Sequence, residues 1–203
     1  MTDREIMNYE ELLRTDALNL LREQLIVATL SRIGKVELDG AVAYRLTYAR
    51  DIDLIVRPAA ATGVPLRISV LAALGSNTAF TKFKFVDNTD QHVFGKPCGI
   101  WIGLATEYRK KPWTIDIWII PDNAVEIAQL VPLTNDSRKS LMHLAKKDRA
   151  KILQLKRHVH KNHPHSIKSS LIYQAYLERG IRTEHSLEQY IKAMGKIRNR
   201  RRL

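Results

Sequence analysis

The stretch "LDGAVAYRLTYARDIDLIVRP", residues 38–58, sets two carboxylates, Asp51 and Asp53, at the mouth of an Ile/Leu/Val run. That run is rich in β-branched residues and closes at Pro58, which has no N–H to extend a ladder, so residues 51–57 read as a strand. On a strand, side chains at i and i+2 share a face, and the two acids stand close together. Like charges that close call for a cation or a function. Upstream, "KVELD" reads as a short strand ending at Gly40, and "AVAYRLT" as about two helical turns.

A third acid completes the pattern. Asp116 lies inside "WTIDIWII" (113–120), with Thr114, Asp116 and Trp118 on one face and Ile115, Ile117 and Ile119 on the other. So apolar a strand is expected to be buried on most sides, where an unpaired carboxylate is costly unless paired, protonated or metal-bound. If the two strands adjoin, Asp51, Asp53 and Asp116 meet on one patch. Three hard oxygen donors suit Mg²⁺ or Mn²⁺, held by carboxylates together with substrate phosphates. Two such ions, about 4 Å apart, would activate an attacking hydroxyl and stabilise a leaving pyrophosphate. Asp51, Asp53 and Asp116 are therefore the candidate metal ligands and catalytic residues. Gly40 and Ala41, small residues between a strand and a helix, let backbone N–H groups approach a phosphate.

Strand, Gly-small, helix, then Asp-x-Asp opening a second strand, with a later strand acid, resembles the nucleotidyltransferase superfamily with the DNA polymerase β-like fold. Gly40-Ala41, Asp51-Ile52-Asp53-Leu54-Ile55-Val56 and Asp116 fill the motif positions. The wording of residues 38–56, and "AKKDRAKILQL" (145–155), look most like the AbiEii-type toxin and defence branch. The resemblance covers about residues 35–155. It implies that Asp51 and Asp53 bind metal, that Asp116 completes the site and activates the acceptor, and that a nucleoside triphosphate is the substrate. It also implies a role for Lys146 and Lys147 at the triphosphate, and a place for an antitoxin or regulatory partner. The chain departs from the pattern at Ala41, at Val42, where a hydroxyl residue is expected, and at Lys151, where a further acid is expected.

The bulk properties agree with a soluble, cytoplasmic protein. The chain has 203 residues, 45% of them hydrophobic, which suffices for one substantial core or two small ones. No apolar run has the roughly 18 residues of a membrane span. The acidic, amphipathic start is unlike a secretory signal. The single cysteine, Cys98, excludes an internal disulfide and a cysteine-based zinc site. Flanked by Pro97 and Gly99, it reads as a small buried residue.

Net charge is +12 and unevenly spread: residues 1–136 hold 15 Lys+Arg against 17 Asp+Glu, residues 137–203 hold 18 against 4. A field of one sign concentrates polyanions, so the C-terminal third points to RNA, tRNA in particular, as the acceptor. The tail arginines Arg198, Arg200, Arg201 and Arg202 are candidate nucleic-acid contacts. A solvated helical surface is the plainer reading of the same charge.

The expected fold class is α+β (a form of α/β): a small mixed sheet forming a nucleotidyltransferase core over residues 1–134, flanked by helices, then a basic helical domain over 135–203. Expected helices are 8–33, 65–75, 137–160, 166–180 and 186–202, the last opened by a Ser186/Gln189 capping box. Expected strands include 80–86, 92–94, 99–105 and 113–120, the first half-exposed by its alternation. Histidines in "HVHKNHPH" (158–165) read as an exposed loop, because their spacing fits no zinc motif. Asp148 reads as orienting a lysine or capping the site, and Arg45 serves the site or the surface equally well. The three tryptophans read as core; of them Trp113, after "RKKP", is the best base-stacking candidate.

The leading expectation is a metal-dependent transferase that moves a nucleoside monophosphate from a triphosphate to a hydroxyl on RNA. Two rivals remain open at this point. One is transfer to a small molecule or a protein side chain, with little salt dependence; the other is a catalytically decayed nucleic-acid-binding module on the same fold, which the Ala41 and Val42 departures keep alive.

Overall fold

A computed structural model describes residues 1–58, 64–89, 98–120, 133–164 and 166–200, with only the backbone of Val64 and residues 195–200. Contacts divide the chain into two compact units, Glu10–Thr134, and Met1–Tyr9 with Asn135–Leu203. The expected strand at 92–94 lies outside the described residues, as do Arg201 and Arg202.

Among the described residues the first unit has five strands: β1 (Gly34–Asp39), β2 (Asp51–Pro58), β3 (Phe80–Asp87), β4 (Ile100–Tyr108) and β5 (Lys111–Ile119). Their order in the sheet is β1-β2-β5-β4-β3. Only β2 and β5 run parallel; the other neighbours are antiparallel, so the sheet is mixed. The expected fold class is the one found.

One face of the sheet is apolar because the pleat sorts it so. Ile52, Leu54 and Val56 of β2, Ile115, Ile117 and Ile119 of β5, and Ile100, Ile102 and Leu104 of β4 all enter a single core. Ala17, Leu20 and Leu21 of α1 (Asp3–Glu23), Ile26 and Leu30 of α2 (Ile26–Leu30), and Leu66, Val70 and Leu74 of α4 (Val64–Gly75) close it. Trp113 also belongs to it, 1% exposed, which removes it as a stacking residue. It stands one residue out of phase with Asp116 and Trp118, so the pleat turns it inward.

The expected helix over 8–33 begins earlier, at Asp3, and breaks after Glu23. Leu25 takes the left-handed conformation, φ 55°. No glycine or proline announces that break. Tertiary bonds hold it instead: Gln24 donates from Nε2 to Thr106 Oγ1 at 3.0 Å, and its carbonyl accepts from Asn77 Nδ2 at 3.2 Å.

The second unit is helical: α5 (Asn135–Met142), α6 (Lys146–Asn162), α7 (Ser169–Arg179) and α8 (Glu184–Arg200). The single helix expected over 137–160 is thus two. Lys146 and Lys147 open α6 and are exposed. Leu141, Ile152, Leu153, Leu155, Val159, Ile172, Tyr173, Tyr176 and Leu187 are buried, as is Ile6 of the first nine residues. Gln154 Nε2 donates to the Met1 carbonyl at 3.0 Å, tying that N-terminal segment to α6.

Asp148 and the cap of the last helix pair within this unit. The Tyr176 hydroxyl donates to Asp148 Oδ1 at 2.5 Å, and burial followed by that carboxylate pushes the phenol up to about 12. Asp148, expected to orient a lysine or cap the site, thus engages a tyrosine. The cap of α8 is Thr183, whose Oγ1 accepts from the Ser186 N–H at 3.2 Å; Ser186 is inside the helix and not its cap.

The histidine run is mostly helix, and two of its members are anchored. His158 Nε2 and His163 Nε2 lie 2.8 and 2.7 Å from Glu188 Oε1, bringing α8 onto α6. His165 lies outside the described residues. The Glu188 carboxyl is held below its ordinary value by the hydrogen bond from His163 first, with burial opposing and His158 adding. A depressed carboxyl stabilises the fold above its unfolded value and loses that contribution as pH falls through the folded one. Glu188→Gln should therefore flatten the acid limb of a Tm-against-pH curve below the ordinary glutamate value of 4.5. Identical slopes for the two proteins would show that the histidine contacts carry no stability.

Candidate active site

The other face of the sheet holds the acids. Asp53 lies opposite Asp116 across the parallel β2–β5 pair, and Asp51 lies opposite Thr114 one step along. Because i and i+2 share a face, all three carboxylates belong to one surface, on strands roughly 4.8 Å apart. Asp39, at the end of β1, pairs with Asp53 and extends the acidic row. Its Oδ1 accepts from the Tyr44 hydroxyl at 2.5 Å. Sequence reasoning passed over Asp39; its signal was the β1–β2 register, which a sequence does not display.

This face is open, contrary to the expectation of a strand buried on most sides. Asp51, Thr114 and Asp116 are exposed and Asp53 is half-buried, while the intervening isoleucines of β5 are fully enclosed. The surrounding protein still pushes the Asp116 carboxyl above its ordinary value, the negative charge of Asp51 pushes it further, and Lys84 opposes both. Two carboxylates that repel one another across neighbouring strands form a donor set that a divalent cation would relieve. Among the described residues no three His, Cys, Asp or Glu side chains form a ready-made metal cage. The residues fit a metal in identity, face and charge; their present rotamers do not enclose one.

Gly40 begins the four-residue helix α3 (Gly40–Ala43) with φ +64°, a left-handed conformation natural to glycine. A Cβ placed there would stand 1.9 Å from Asp53 Oδ2, so the carboxylate occupies the space that glycine vacates. Ala41 and Val42 are buried, with Val42 wholly in the core. The position where a hydroxyl was expected therefore faces inward, and any phosphate contact at this turn belongs to the backbone.

The approach to β2 is held from α1. Arg14 Nε donates to the Val42 carbonyl at 3.3 Å, and the Thr47 N–H donates to Glu10 Oε1 at 3.4 Å. Glu10 is 1% exposed, and burial raises its carboxyl. Neither residue stood out in the sequence, since a charge on an amphipathic helix looks like any solvated position. Arg45, with φ 57°, lies in the same connection as a conformational element. Lys146 and Lys147 belong to the other unit and are described there; the side chains of Arg198 and Arg200 lie outside the described residues.

Against solved structures, the chain is similar to the non-canonical poly(A) polymerase complex GLD-2–GLD-3, with a TM-score of 0.53 and 11% identity. At that identity the likeness is one of fold: a mixed sheet flanked by helices. The alignment covers 86% of this chain, which spans 58% of the length of that one. A GLD-2/RNP-8 complex aligns with a TM-score of 0.45 and 11% identity, over 86% of this chain and 71% of that one. No protein-family profile matches the sequence, and no curated protein matches it. Among the described residues no helix is long and apolar enough to cross a membrane.

Proposed function

We propose that the protein is a metal-dependent nucleotidyltransferase that transfers a nucleoside monophosphate from a nucleoside triphosphate to a hydroxyl on RNA. The observation that carries this reading is the register that sets Asp53 beside Asp116, with Asp51 on the same open face. Asp51, Asp53 and Asp116 would hold Mg²⁺ or Mn²⁺. A divalent cation bound there would neutralise triphosphate charge and favour the ionised form of the attacking hydroxyl.

The rest follows from the chain's own groups. Backbone at Gly40 and Ala41 would receive the phosphates, since the side-chain space at Gly40 is closed by Asp53. An Asp116 oxygen takes the proton of the acceptor hydroxyl, a role suited to a carboxyl raised toward neutrality by its surroundings. The hydroxyl oxygen then bonds to the α-phosphorus, the bond from that phosphorus to its bridging oxygen breaks, and pyrophosphate leaves. The poly(A) polymerase likeness supports RNA as the acceptor class, as does the positive charge of residues 137–203. In this reading 1–134 is the catalytic domain and 135–203 the acceptor-binding domain, in which Lys146 and Lys147 are candidate phosphate contacts. Arg198, Arg200, Arg201 and Arg202 meet the RNA backbone. The wording of the acid motif supports an AbiEii-type kinship, hence a cytoplasmic toxin or defence role restrained by an antitoxin or other regulatory protein.

The test is transfer itself. Full-length protein, total RNA and each labelled triphosphate are combined with Mg²⁺ or Mn²⁺, and label is expected in RNA for at least one nucleotide and none with EDTA. Absence of label in RNA with every nucleotide and both metals would overturn the reading.

A further inference from the structure

Beside the row of acids, on the same face, lies an apolar row: Ile55, Trp118, Trp101 and Val86, paired in turn across β2, β5, β4 and β3. Trp101 and Trp118 are only half-buried and Val86 is 38% exposed, in contrast to Trp113 on the core side. The indole of Trp101 lies over Gly103, where an added Cβ would come within 2.8 Å of the ring. Gly103 pairs with Asp116 on one side and Lys84 on the other. The indole thus occupies the space over Gly103, between the register positions of a site carboxylate and a lysine, because that residue has no side chain. Lys82 and Lys84 are exposed on β3, the sheet edge away from the acids.

We infer that Trp101 and Trp118 form a stacking floor for the 3′-terminal bases of a single-stranded RNA acceptor whose phosphates meet Lys82 and Lys84. This rests on the transferase reading and adds the acceptor's path. A strip that joins flat rings to lysines matches a polymer that alternates planar bases with phosphates, and stacking tolerates any base. The order across the sheet sets the polarity. The strand enters over β3, where charge is positive, crosses the indoles of β4 and β5, and ends with its hydroxyl at Asp116. Lys84 is two strand spacings from Asp116, roughly 10 Å between backbones, so the basic edge sits upstream of the acids while its charge still reaches Asp116. Duplex RNA binds poorly, because every pair except the terminal one has both faces already stacked on its neighbours and cannot lie on two successive rings.

The test is binding of a fluorescein-labelled single-stranded RNA of about ten nucleotides to the full chain, in EDTA and without triphosphate. Trp101→Ala is expected to weaken binding about tenfold, and Trp101→Phe to restore most of it. The double variant K82A/K84A should make the salt slope shallower by about 1.4, the single-strand value for two lost phosphate contacts. Gly103→Ala, which removes no ring but lifts one, and Trp118→Ala give the same direction should Trp101→Ala fold poorly. In the transfer assay Trp101→Ala raises the KM for RNA and leaves that for the triphosphate unchanged.

Binding by Trp101→Ala within about twofold of the parent overturns the inference, since a stacked base is worth far more than that. So does a Trp101→Phe variant as weak as Trp101→Ala, which would make the indole a structural filler. The two readings fail separately. RNA binding lost in Trp101→Ala without label transfer by the parent removes the transferase and keeps the floor; transfer with an unchanged RNA KM removes the floor and keeps the transferase.

Discussion

Asp116→Asn is expected to lower transfer roughly 10²- to 10⁴-fold while Tm stays level or rises, the range set by the loss of a general base. The activity side follows from position: Asp116 is opposite Asp53 and on the face that Asp51 shares. The stability side follows from charge. The Asp116 carboxyl is pushed above its ordinary value by its surroundings and by Asp51, so its ionised form is disfavoured in the folded state. A carboxyl raised on folding stabilises below its unfolded value and withdraws that contribution as pH rises through the folded one. At neutral pH an amide of the same shape removes the repulsion without opening a cavity. A residue whose loss costs activity and not stability is held for chemistry. An Asp116→Asn protein that transfers label like the parent would remove Asp116 from the mechanism, and one that melts well below it would make the carboxylate a structural group.

Gly40→Ala is the second large effect, and it separates geometry from charge because no charge changes. The added Cβ would stand 1.9 Å from Asp53 Oδ2, and the residue keeps a φ of +64°. Holding an alanine in the left-handed region costs about 1–2 kcal/mol, visible as a lower Tm. The greater effect falls on Asp53, whose carboxylate must leave its place against the turn. Transfer should drop about as far as in Asp53→Ala, roughly a hundredfold or more, since an ångström of misplacement is enough for that. Addition of Mn²⁺ should not restore it, because the ligand is displaced and not weakened. Full activity in Gly40→Ala would mean that Asp53 works from another rotamer.

Much of this site was legible before any coordinates. Asp51 and Asp53 could be put on one face because the strand period is two, and Asp116 could be set apart from Ile115 and Ile117 for the same reason. Gly40 could be read as a turn residue from the strand that ends there and the helix that follows. Each of these inferences needs only local geometry. The break at Leu25 was not legible, because it is held by Gln24 reaching Thr106 and by Asn77 reaching Gln24, residues far along the chain. The division of α5 from α6 was equally hidden, since residues 143–145 carry no proline or glycine. The histidines looked free for want of their partner, Glu188, which arrives from another helix.

The tryptophans mark the boundary most clearly. Composition treats Trp101, Trp113 and Trp118 alike, and sequence context favoured for stacking the one that is buried. The pleat turns Trp113 into the core and the other two toward the acids, and that assignment needed to know which face of β5 the helices cover. From the order of residues alone came the identity of the acids, their spacing and the sheet that would carry them, because periodicity and backbone preference act within a few residues. Tertiary structure decided which strands adjoin, that the acid face stays open, and that Gly103 lets an indole lie beside Asp116, because register and burial are set by partners the local sequence does not contain.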